Sequence, residues 1–175
     1  MSLATVFSRA ILGVEAIEVR VEAHLSNGLP GFAIVGLPET AVKESKERVR
    51  SAILNSGLEF PMRRITVNLA PADLPKIGGR YDLAIALSIL MASGQIRDDV
   101  LQGAEILGEL ALDGAVRPVA GVLPAVVAAR AATQGVCPQR ECPGAGLDRV
   151  STNALRAQSG SSGRPCAAWC GVAGL

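Results

Sequence analysis

Ile17-Glu18-Val19-Arg20-Val21-Glu22-Ala23-His24-Leu25 alternates apolar and polar side chains without a break. A period of two sends the two sets to opposite faces of an extended chain, so this stretch reads as a strand with one face in a core and one in water. Downstream, Ser26-Asn27-Gly28-Leu29-Pro30-Gly31 is rich in turn formers and Phe32-Ala33-Ile34-Val35 resumes an apolar run. The two runs are expected to pair as a hairpin with a long loop. Upstream, Ala4 to Leu12 reads as an earlier strand.

Beyond Val35 the period changes. Pro38 suits a first helical position, Glu39 the positive end of the helix dipole and Gly57 the site just past the end. They bracket a helix over 38–56 with a core stripe of Val42, Val49, Ala52 and Ile53. Ile65, Val67 and Leu69 alternate with Thr66 and Asn68 as another strand. Asp82 is placed to cap a helix over 83–93 that ends at Gly94 and is apolar nearly all round, hence central. Glu105 to Leu110, the Asp113-Gly114 turn and Ala115 to Val119 predict a short hairpin, followed by an Ala/Val-rich helix over 121–132. The order β-β-α-β-α-β-β-α lacks a regular βαβ repeat, so the expected class is α+β, a mixed β-sheet with helices packed on one face.

In a chain of 175 residues, a hydrophobic fraction of 49% supplies one core, and 17 Lys+Arg against 16 Asp+Glu exclude a surface built wholly for polyanions. The start has no basic segment with a long apolar run behind it, and Leu83 to Met91 is too short to span a bilayer. A soluble, cytoplasmic protein with no membrane partner is the expectation. The ordered domain is placed at 1–132. Residues 133–175 carry Gly, Ser, Pro, Cys and Arg with no sustained period, and are expected to be an irregular tail, disordered or read from a shifted frame of a GC-rich gene. Cys137, Cys142, Cys166 and Cys170 all lie there, so the preceding body needs no oxidising compartment. Their gaps are not those of zinc knuckles, and no metal is expected.

Short motifs recur in order along the first 132 residues. They are Gly28-Leu29-Pro30-Gly31-Phe32, Val35-Gly36-Leu37-Pro38 and Glu47-Arg48-Val49-Arg50, then Asn68 through Lys76, Gly78-Gly79-Arg80-Tyr81-Asp82-Leu83, and Leu107-Gly108-Glu109-Leu110 with Asp113-Gly114. In this collinear run the chain resembles the opening of the ComM/YifB magnesium-chelatase-like proteins. The resemblance implies a fold like domain 2 of ribosomal protein S5, shared with the proteolytic domain of Lon. It also implies a AAA+ ATPase that follows in the same chain, assembles as a ring and, in ComM, drives branch migration of DNA during natural transformation.

Two activities do not carry over with the resemblance. A phosphate-cradling loop needs a Gly-Lys pair, and the sequence has none, so ATP and magnesium are expected only for the ATPase module. Lon-type proteolysis needs a Ser activated by a Lys. Aligned to Lon, those positions fall at Arg80 and near Leu123, and Ser88 lies within the apolar helix. The expected role is a non-catalytic accessory and assembly domain, with a free-standing Lon-like hydrolase or a magnesium-chelatase-type subunit as rivals.

The candidate contacts are therefore for binding. Lys43, Lys46, Arg48 and Arg50, with Arg63 and Arg64, form the densest basic region and are the candidate DNA contacts. Glu39 with Lys43 and Glu44 with Arg48 are also spaced as ordinary helix-surface pairs. Gly78-Gly79-Arg80 is a candidate loop for gripping phosphate or a neighbouring subunit's carboxylate, the latter in a homo-oligomer or AAA+ ring. The plainer alternative pairs Arg80 with Asp73 or Asp82, and Ile77 stands where the family leads one to expect an acid. Gly28, Pro30, Gly31, Gly78, Gly79 and Asp82 are expected to shape loops, and His24 to be a wet cross-strand neighbour.

Overall fold

The computed structural model describes residues 2–131 and 135–138. β1 (Ser2–Leu12) and β2 (Glu15–Ser26) form a long antiparallel hairpin, followed by β3 (Gly31–Val35), α1 (Thr40–Lys43), α2 (Ser45–Asn55) and β4 (Arg64–Ala70). A short 3-10 turn (Gly79–Tyr81) leads into α3 (Asp82–Ala92), then β5 (Ala104–Leu107), β6 (Glu109–Leu110), β7 (Val116–Arg117), α4 (Val122–Ala131) and β8 (Gly135–Pro138). The sheet is mixed, in the order β3-β4-β2-β1-β5-β8, and β6-β7 is a separate ribbon.

The expected pairing of β2 with β3 is overturned. β4 inserts between them, antiparallel to β2 from Arg20↔Ala70 to Ser26↔Arg64 and parallel to β3 from Gly31↔Arg64 to Val35↔Asn68. Burial explains the order. Ile65, Val67 and Leu69 are sealed, as a central strand requires, whereas Gly31, Ala33 and Val35 stay exposed, which only an edge position tolerates. α1 and α2 supply the crossover that parallel strands need.

Two helix starts also differ from expectation. Pro38 stays outside the helix in an isolated bridge to Lys76, and Glu44 separates α1 from α2. Asp82 is the first residue of α3 rather than its cap, and its carboxylate is used across the fold. The end of α3 is as expected, with Gly94 at φ 79° just past Ser93.

Val19, Val21, Ala23 and Leu25 of β2 meet Ala4, Val6 and Ala10 of β1 and the inward residues of β4 in one cluster with Val49, Ala52, Ile53 and α3. Every α3 residue is buried, so its all-round apolarity follows from its central place. Each large aliphatic side chain sealed here contributes about 1.5–3 kcal/mol. α1 to α3 accord with helices on one face. α4 uses the reverse: neighbouring residues Ile106 and Leu107 fall in different clusters, and Leu107 packs with Ala125, Val126, Ala129, Ile11 and Ala16. Beside that second cluster lies a buried ion pair, Arg9 Nε to Glu105 Oε2 at 2.5 Å and Nη2 to Oε1 at 2.6 Å.

β8 extends the sheet past residue 132, parallel to β5 from Ala104↔Gly135 to Leu107↔Pro138. Four residues docked on one neighbour leave no period for sequence to reveal. The rest of the expected tail, including Cys142, Cys166 and Cys170, lies outside the described residues.

Gly36 marks the tightest approach in the body. Its φ is 97°, and a Cβ there would stand 2.2 Å from the Leu69 carbonyl oxygen, so backbone meets backbone where β3 turns away from β4. Gly57 has φ 78° but open space around it. Gly36→Ala is expected to cost at least about 2 kcal/mol more than Gly57→Ala in urea unfolding, because the second carries conformational strain alone. Equal midpoints for the two variants would contradict this packing.

Candidate functional site

The Gly78-Gly79-Arg80-Tyr81-Asp82 segment is held from two sides. Asp82, fully buried, accepts a short hydrogen bond from Ser45 Oγ, others from Arg48 Nε at 2.6 Å and Nη2 at 3.2 Å, and a longer one from the Leu110 amide at 3.3 Å. Arg48 Nη2 also donates to the Ala41 carbonyl and to Ser45 Oγ. One carboxylate thus joins α2, α3 and β6. It lies at the positive end of α3, where a negative charge is favoured. The hydrogen bond to Asp82 raises the Arg48 pKa above its ordinary value, against the cost of burial, with further help from the charges of Asp82, Glu109 and Glu44.

Arg48 is therefore not a free surface cation, although sequence spacing placed it among the DNA contacts with Glu44 as its partner. A signal was present in the α2 stripe, which skips from Val42 to Val49 and leaves Ser45 on the inner face with Arg48 one turn on. Gly79 is needed for a second reason: a Cβ there would stand 2.6 Å from Glu109 Oε2. The loop lies directly on the Glu109 side chain, which reaches Arg117 at 3.6 Å.

Arg80 pairs with neither Asp73 nor Asp82. Its Nη2 donates to the Ala120 carbonyl at 3.1 Å, and Nη1 is buried with no partner among the described residues, near Gly121 at the entrance to α4. The positions aligned with the Lon serine and lysine, Arg80 and Leu123, thus belong to neighbouring segments, but hold a guanidinium and an exposed aliphatic side chain. Ser88 donates to the Ile85 carbonyl, an ordinary helix-internal bond. Lys76 is fully buried, donates to the Pro71 carbonyl, and is lowered in pKa by desolvation, with Asp73 acting against the shift.

The remaining basic candidates divide. Arg50 lies over the Phe60 ring, 5.2 Å from its centroid, and Phe60 tilts against Phe32 at 5.9 Å. Arg64 is paired with Gly31, next to Phe32, and the Gly31 amide bonds the Arg63 carbonyl, so the Arg63-Arg64 backbone runs beside the start of β3. A groove of about 440 Å³ opens there, lined by Leu29, Gly31, Phe32, Ala33, Arg64 and Ile65. Lys46 is half-buried one turn before Arg50, and Lys43 is exposed on α1. Gly28, at φ 137°, and Pro30 form the loop leading into this groove. His24 is half-buried beside Leu3 and Thr66. Among the described residues no three His, Cys, Asp or Glu side chains gather as a metal site, and no helix is long and apolar enough to cross a membrane.

A family model described as subunit ChlI of Mg-chelatase matches residues 21–141. The chain belongs to this family. It is 61% identical over 123 residues to the uncharacterized protein YifB of Salmonella typhimurium, covering 70% of this chain and 24% of that one. It is 58% identical over 130 residues to the competence protein ComM of Haemophilus influenzae, covering 74% of this chain and 26% of that one. Similarity to the Lon protease of Mycolicibacterium smegmatis is lower, 29% over 158 residues, covering 85% of this chain and 20% of that one. The chain spans about a quarter of the length of the YifB and ComM relatives.

The residues present do not fit a nucleotide. The sequence has no Gly-Lys pair, and the N-terminus of the ChlI-type domain's most buried helix, α3, is already occupied by the chain's own Asp82.

Asp82→Ala leaves Arg48 and the Leu110 amide without their acceptor, and is expected to destabilise the domain by about 3 kcal/mol in urea unfolding. Arg97→Ala, at an exposed pair with Asp99, should leave the midpoint nearly unchanged. The single tyrosine offers a second test. Burial pushes the Tyr81 phenol up to about 12, with the Arg80 charge acting against it. The folded state holds this proton more tightly than the unfolded chain, whose phenol titrates near 10. Stability should therefore be intact below pH 10 and fall as pH rises from 10 to about 12. Absorbance at a phenolate wavelength, followed with far-ultraviolet dichroism, checks this: ionisation near pH 10 in the folded protein would refute it.

Proposed function

We propose that this chain is the non-catalytic accessory and assembly domain of a ComM-like DNA-processing protein, and that it touches DNA through the Arg50, Arg63 and Arg64 rim, with Lys46 beside it. The observations that favour the DNA contact are Arg50 lying over Phe60, which packs on Phe32, and Arg64 lining a groove with Phe32. Cations there would neutralise phosphates, and Phe32 offers a half-buried ring in a groove large enough for a base. Arg48 is left out of the contact, since Asp82 holds it.

The accessory role is supported by what occupies the Lon-like positions. Arg80 binds the turn before α4, Leu123 carries no base, and Ser45 and Ser88 are held by Asp82 and a helix carbonyl. ATP and magnesium belong, on this reading, to an ATPase module of the longer proteins. Likeness to ComM supports the DNA-processing context and, with it, the reading of a cytoplasmic site.

Arg63→Glu with Arg64→Glu should abolish binding of a fluorescent oligonucleotide at low salt. Arg50→Ala should weaken it about uniformly across sequences and reduce the salt slope by about 1. Lys43→Glu should have a smaller effect. Unchanged anisotropy titrations for the double variant would reject the rim as a DNA contact.

A further inference from the structure

α4 is Val122-Leu123-Pro124-Ala125-Val126-Val127-Ala128-Ala129-Arg130-Ala131, ten residues with one charge. Ala125, Val126 and Ala129 pack on the sheet. The opposite side has the composition of a core rather than of a surface: Leu123 is 63% exposed and Val127, one turn on, is 61% exposed. A helix that borders water on one side normally carries polar residues there, and α2 does so with Glu47, Arg50 and Asn55. Scattered exposed aliphatics are common, but two in register on a nearly uncharged helix form a stripe.

We infer that the Leu123–Val127 stripe is a docking face for polypeptide of the module that makes up the remaining three quarters or so of the YifB and ComM relatives. Two observations favour this occupant. The chain matches only 24–26% of those relatives, so most of their length lies outside it. The family match runs to residue 141, just past β8, and the last residue of β8, Pro138, pairs with Leu107, on which α4 packs, so the polypeptide leaves the described residues near this helix. The surface it meets is apolar, so its partner is an uncharged aliphatic surface, not nucleic acid. Arg80 fixes the turn into α4 from the domain side through the Ala120 carbonyl, so the helix is set firmly before anything docks on it. This rests on the assembly half of the proposed function and is independent of the arginine rim.

The test places cysteines at Leu123→Cys and Val127→Cys, with Val14→Cys, 91% exposed at the β1–β2 turn, as reference. Each is made in this chain and in a full-length chimera in which residues 1–131 replace the matching part of the Haemophilus relative. Maleimide labelling is read site by site by mass spectrometry. At positions 123 and 127 the rate should fall at least tenfold in the chimera, with position 14 unchanged. Leu123→Glu combined with Val127→Cys should restore fast labelling at 127. Equal rates in chain and chimera would overturn the inference. So would protection in the chain alone that grows with concentration, since a second copy would then be the occupant. Oligonucleotide binding plays no part in the readout, so failure of the DNA contact and failure of the docking face are separable.

Discussion

The Asp82 carboxylate is the constraint on which the arrangement around the loop depends. Burying a charge in an apolar interior costs several kcal/mol unless it is paired and hydrogen-bonded. Here Ser45, Arg48 and the Leu110 amide supply the compensation, the first two from α2 and the third from β6. α2 cannot slide along α3 without losing two donors, and β6 cannot lift away without losing a third. The network therefore sets the geometry of the Gly78–Tyr81 segment, whose second boundary is the Glu109 side chain under Gly79. Specificity of arrangement, more than net stability, is what such a pair contributes, since an apolar replacement of equal volume could be as stable.

Where the reading was local, sequence was sufficient. The alternation of β2, the alternation at Ile65, Val67 and Leu69, the apolar α3 with Gly94 after it, and the turn at Asp113-Gly114 each follow from a period or a turn residue. Of the expected arm Glu105 to Leu110, however, only Glu109 and Leu110 join the hairpin at that turn, and Glu105 to Leu107 belong to β5 of the main sheet. The collinear motifs carried the family, which the ChlI match supports. What was not legible is partner choice. Nothing in Phe32 to Val35 says that β4, thirty residues on, will take the place beside β2, because alternation records which face is buried and not which neighbour is bonded. The helix pair Glu44 and Arg48 fails for the same reason. An i,i+4 spacing offers a weak surface pair, whereas Asp82 offers two buried charge-assisted bonds.

The same limit applies to the candidate sites. Arg63 and Arg64 were visible as a basic doublet, but the place of Arg64 in a groove with Phe32 depends on the β3–β4 pairing. A stripe of charges on a helix reads alike whether it is solvated or engaged. The Phe60 ring under Arg50 and the Asp82 carboxylate on Arg48 separate the two.

The two faces of the sheet divide the domain's work. Around α2 and α3 the core is closed, and its buried carboxylate, Asp82, is answered within the chain. On the reverse face the Arg9–Glu105 pair is sealed beside a helix whose outer side is aliphatic. A guanidinium and a carboxylate held bidentately tie β1 to β5 there, and β8 lengthens the sheet beside β5. α4 is thus firmly backed yet apolar in front, an arrangement suited to transmit contact rather than to end the fold. Arg80 gives that helix a direct mechanical link to the segment positioned by Asp82. α4 thus bears on two places at once, the Leu107 cluster through Ala125, Val126 and Ala129, and the 3-10 turn through the Ala120 carbonyl.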